Sequence, residues 1–130
     1  MPRFIDGIAP LPPKRPLTRI HDIVENSAAI LEYTQGMDFR AYVGNRLVRD
    51  AVERCFERVS EASVRLSSLA VELFPAHDWL AIRNLGNILS DDHNDVLDSI
   101  IWTTIVERLP PLLIELETFL AQYPAEQETL

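Results

Sequence analysis

Six polar side chains that could do chemistry lie close together in IRNLGNILSDDHND, residues 82–95: Arg83, Asn84, Asn87, Asp91, Asp92 and His93. An imidazole exchanges protons near neutral pH, and a guanidinium grips an oxyanion through paired hydrogen bonds. Together such groups could move a proton and steady developing negative charge. A plainer reading makes the same residues a solvated connector with good helix caps. Other chemistry is sparse. His21-Asp22 and His77-Asp78 resemble fragments of metal sites but lack the further ligands such sites need, so no metal or other cofactor is expected. Cys55 is the only cysteine, which excludes an intrachain disulfide and a multi-thiolate site. Its neighbours Arg54 and Arg58 could lower its pKa, but its place on an apolar stripe favours a buried, inert thiol. Trp79 and Trp102 read as core anchors. There is no glycine-rich phosphate loop, nucleophile elbow or His-Glu-x-x-His pair.

The elements that must position these residues are helical. Apolar residues recur at helical spacing at Leu17, Ile20, Ile23, Val24, Ile30 and Leu31, and Gly36 ends that run as a left-handed cap. Asp38 can cap a second helix running through Leu69, with Tyr42, Val52, Phe56, Val59, Ala62 and Leu66 on one face, and Gly44 loosening its first turns. Asp50 with Arg54, and Glu61 with Arg65, are spaced for i,i+4 pairs on the outer face. Pro75 interrupts the pattern, which restarts with Trp79, Ile82, Leu85 and Leu89. SDDHND is a connector, with Asn94 or Asp95 as the next cap, and Leu97, Ile100, Ile101, Thr104 and Ile105 resume the stripe. Pro110 and Pro111 force a kink or break and open a last helix with Leu112, Leu113, Leu116, Phe119 and Leu120 inward. No long period-two alternation appears. The expected fold is all-α: an up-and-down bundle of four or five helices over 17–122, preceded by an extended Pro-rich arm at 1–16 and followed by a frayed tail at 123–130.

Composition limits the partners. The net charge of −8 should repel polyanions unless the cations cluster, yet all the basic residues except Lys14 are Arg, which suits oxyanion binding. The apolar runs are too short to span a membrane, and Met1 is not followed by the apolar core of a signal peptide, so a cytoplasmic protein with no membrane partner is expected.

RDAVERCFERVSEASVRL, followed by WLAIRNLGNIL and then by SIIWTTIVERLPPLL, resembles the HepT-like branch of the HEPN superfamily over nearly the whole chain after the arm. Active members carry Arg-Asn, three residues, His, one residue and Tyr at the end of the helix that here begins at Trp79. The resemblance implies a homodimeric, metal-independent endoribonuclease toxin with a site built from both subunits. It also implies an MNT-type nucleotidyltransferase antitoxin that silences active members by adding AMP to the motif Tyr. With both Trp residues in register, Gly86-Asn87 fall on Arg-Asn, Asp91 on the His and His93 on the Tyr. Only Asn87 matches. Using Arg83-Asn84 as the pair puts Ile88 and Ser90 where His and Tyr belong.

The departure matters physically. Cleavage without a metal needs a base for the 2′-hydroxyl proton and a cation for the phosphorane. Asp91 supplies neither at neutral pH. Asp92 adds charge where an anionic backbone must approach, and unit charges a few ångströms apart repel by about 1 kcal/mol even in water-like dielectric. A protonated His93 would hold phosphate but serve poorly as a base. Three readings follow. The first is an eroded member kept as a dimeric binding or regulatory partner. The second is an active endoribonuclease using Arg83, Asn87 and His93 as a degenerate catalytic set, with RNA as substrate. The third is a structural helical interaction module.

Overall fold

A computed structural model describes residues 15–89 and 95–123, and every regular element among them is helical. The Pro-rich arm, most of the connector and the tail lie outside this range. Helix α1 (Pro16–Tyr33) starts on a proline, whose missing N–H costs nothing in a first turn, and buries Ile20, Ile23, Ser27 and Ile30. Thr34 ends it by donating its hydroxyl to the Ile30 carbonyl at 2.8 Å, and Gly36 follows at φ 79°.

The second predicted helix is three elements. Asp38 caps α2 (Phe39–Val43), accepting from the Ala41 N–H at 2.8 Å, but Gly44 stops it rather than loosening it. Asn45 then caps α3 (Arg46–Leu66) by accepting from Val48 N–H at 3.0 Å. At Ser67 (φ 56°, ψ −139°) the chain turns into α4 (Ser68–Leu73), a break that no Gly or Pro announces. Of the two expected outer-face pairs, Glu61–Arg65 forms at 3.1 Å. Asp50 instead meets Arg46 at 3.6 Å, one turn earlier.

Helix α5 (Trp79–Leu89) is capped by Asp78, which accepts from Ala81 N–H at 3.0 Å. Beyond the connector, α6 (Asp95–Thr103) runs into a π-helical turn (Thr104–Arg108) and then α7 (Leu109–Leu120) without a break. Pro110 and Pro111 can donate no N–H, and their rings crowd the carbonyls four residues back. The wider turn accommodates them, with Leu109 N–H reaching the Thr104 carbonyl five residues away. The prolines therefore widen the helix where the spacing predicted a kink or a break.

Antiparallel neighbours give the up-and-down bundle: α1 against α3, α3 against α5, and α7 back against α1. The core is one cluster running from Ile20 to Leu116 through Phe56, Leu66, Trp79, Leu85 and Ile101. Trp79 anchors it as expected and donates its indole N–H to the Phe74 carbonyl at 2.8 Å. Trp102 is only half-buried, lying against Tyr42 with ring centres 5.4 Å apart. Cys55 is buried, and burial raises its thiol pKa, outweighing Arg58 and Arg54. His21 is exposed. No described helix is long and apolar enough to cross a membrane.

Candidate functional site

The motif helix α5 lies between α3 and α6, and its three faces meet different surroundings. Toward α3, Gly86 sits so close that a Cβ there would lie 2.6 Å from Ser60 Oγ and 3.2 Å from Ser60 Cβ. Ser60 in turn donates its hydroxyl to the Arg83 carbonyl at 2.7 Å. This is the position where the resemblance puts the motif arginine, and the neighbouring helix already fills its space.

On the next face stand Arg83 and Asn87, four residues apart. Arg83 is half-buried and donates from Nη2 to the Ser67 carbonyl at 2.9 Å, pinning the strained α3–α4 junction. Its guanidinium thus has a structural task, directed away from the C-terminal end of α5 that carries the rest of the motif. Asn87 is exposed one turn further on. Asp91 and His93 lie outside the described residues.

The third face, with α6 and the π turn, forms an open groove of about 420 Å³ whose apolar lining includes Leu85, Ile88 and Ile100. Here the sequence expectation is corrected: Ile100 is 40% exposed while Asp98 is 5% exposed, so α6 is rotated relative to the predicted stripe. Spacing alone could not decide this, because 97, 98, 101, 104 and 105 make as good a helical face as the predicted set.

That rotation creates a buried polar group at the end of the bundle where α5 finishes, and it was not foreseen. Tyr42 from α2, Glu53 from α3 and Asp98 from α6 are all buried. Tyr42 Oη and Asp98 Oδ1 have no hydrogen-bond partner among the described residues. Burial, then the negative charges of Glu53 and Asp98, push the Tyr42 phenol well above its usual range, so it stays protonated. The only signal in the sequence was two acids interleaved with apolar stripe positions. At the opposite end, His77 Nε2 meets Glu115 Oε1 at 2.6 Å, and Asp78 lies 3.7 Å from Arg108, so both residues of that His-Asp pair tie the start of α5 to the final helices. No group of three or more His, Cys, Asp or Glu suited to a metal occurs among the described residues.

Comparison with known proteins agrees with this architecture. The profile of the HepT-like ribonuclease family matches residues 23–119. One relative, from Methanocaldococcus jannaschii and named as a candidate RNase, is 29% identical over 98 residues, covering 75% of this chain and 90% of its own. Another candidate RNase of that organism is 25% identical over 118 residues, covering 91% and 98%. No solved structure matches at a significant level. The matched span runs from α1 to α7 and takes in every long helix of the bundle, so the chain belongs to the HepT-like ribonuclease family.

Proposed function

We propose that this chain is the HepT-like half of an MNT/HepT-type toxin–antitoxin module in which the nuclease motif has eroded. It then serves as a dimeric, cytoplasmic binding or regulatory partner of an MNT-type nucleotidyltransferase. The observation that carries this reading is the seating of Gly86 against Ser60, which crowds the Cβ that a motif arginine would need. Arg83, the nearest substitute, is engaged with the Ser67 carbonyl. Asp91 in place of the motif His removes the base, because a carboxyl of ordinary pKa takes up almost no proton at neutral pH. The groove between α5 and α6, with Ile100 and Ile88 on its wall, offers an apolar surface for a second subunit.

The test is ribonuclease activity on total RNA, with the wild type compared with a rebuilt motif. The rebuild needs four changes: Ser60→Gly to clear the space, then Gly86→Arg, Asp91→His and His93→Tyr. Cleavage by the rebuilt, folded protein and none by the wild type supports erosion of a nuclease site. Cleavage by the wild type that His93→Ala abolishes overturns it in favour of an active enzyme using Arg83 and His93. A rebuilt protein that is folded and dimeric but inactive overturns it in favour of the structural module. The nucleotidyltransferase is also expected to leave position 93 unmodified, since an imidazole replaces the phenol. A stable AMP adduct on His93 in a mass spectrum would contradict that.

A further inference from the structure

The α1–α3 seam carries a second recess, away from α5. Because the two helices are antiparallel, Arg19 and Asn26 of α1 come opposite Arg58, Ala62 and Arg65 of α3, around a groove of about 210 Å³. Three guanidinium groups converge there in a chain of net charge −8. Two carboxylates share the groove, and each is turned to one arginine: Glu61 Oε1 accepts from Arg65 Nε and Nη2 at 3.2 and 3.1 Å, and Asp22 lies 3.7 Å from Arg19. Among the described residues Arg58 has no ion pair and Arg19 Nε, which is buried, has no acceptor. The exposed Arg58 guanidinium, with no carboxylate partner among the described residues, is the donor an oxyanion entering the groove would meet. Ala62 keeps the floor low. With three cations against two carboxylates the recess carries a single net positive charge, which suits one phosphoryl group better than a run of them.

We propose that this groove binds one phosphoryl group, gripped by Arg58 and Arg19 with Arg65 beside it. The inference does not depend on the fate of the nuclease motif. The phosphoryl group could belong to free phosphate, a mononucleotide or an RNA strand, and one experiment separates these. Isothermal titration of the full chain with inorganic phosphate, AMP and an uncleavable 2′-O-methyl oligoribonucleotide is done at constant ionic strength. Wild type is compared with Arg58→Ala, Arg19→Ala and, as a control outside the groove, Arg40→Ala. Saturable phosphate binding that weakens about tenfold in Arg58→Ala and is unchanged in Arg40→Ala supports the site. Arg58 is exposed, so its removal leaves the fold intact. If the oligoribonucleotide binds with the same dependence and phosphate competes with it, the source is a strand. If only phosphate and AMP bind, it is a small molecule. Absence of saturable phosphate binding, or binding that neither groove variant weakens, overturns the proposal.

Discussion

Ser60 and Gly86 set how closely α5 approaches α3. Alanine at 86 would gain about 1 kcal/mol of helix propensity over glycine, but its Cβ would displace a hydroxyl from 2.6 Å and crowd the carbon behind it. Gly86→Ala is therefore expected to destabilise the wild type by about 1 kcal/mol, yet to stabilise the Ser60→Gly variant, a change of sign that urea denaturation of the double-mutant cycle would read. Tyr42 makes the converse case. Its buried hydroxyl has no partner among the described residues, so Tyr42→Phe should raise stability at pH 7 by about 1 kcal/mol. The folded-state phenol pKa lies above the unfolded value near 10, so the unfolded chain ionises first and the wild type loses stability as pH rises beyond that value. The Phe variant should lack this residue's share of the loss, measurable by denaturation between neutral and alkaline pH. Neither the Gly86–Ser60 contact nor the enclosure of the Tyr42 hydroxyl was legible in the sequence, because both depend on residues distant along the chain. The missing motif residues were legible, since identity and spacing are all a motif requires.

Among the elements, periodicity located the long helices, but the caps that start two of them, Asn45 for α3 and Asp78 for α5, were not legible, and Asp38 caps only the short α2. It failed at the α3–α4 junction, where Ser67 adopts a conformation that favours glycine and nothing in the local sequence signals it. Relief of that strain predicts that Ser67→Gly raises stability by about 1 kcal/mol, visible as a higher melting temperature with the same helical content. The bond from Arg83 to the Ser67 carbonyl survives the change, because it uses only the backbone. The prolines of α7 were read correctly as first-turn residues. Their effect upstream was not, because a π turn depends on how the preceding carbonyls are satisfied rather than on any residue type.

At the scale of the whole molecule, the bundle buries an acid at 98 and leaves an isoleucine outside at 100. A second subunit covering the α5–α6 groove would account for that inversion. Ile100→Asp is accordingly expected to convert a dimer into a folded monomer, as seen by sedimentation at micromolar concentration. A wild type that already sediments as a monomer would remove the groove from consideration as an interface. The fold class was readable because a bundle needs only stripes and turns. The rotation of α6, which sets what the groove presents, was not, since several stripes fit one helix.

The contact between Ser60 and Gly86 also bears on history. On the proposed reading of an eroded motif, Gly86→Arg arising alone would crowd Ser60 and lower stability before offering any catalytic return. The permissive change must come first, at a residue that touches no substrate. On that reading such a pair would work as a ratchet, making the loss of an activity easier to reach than its recovery.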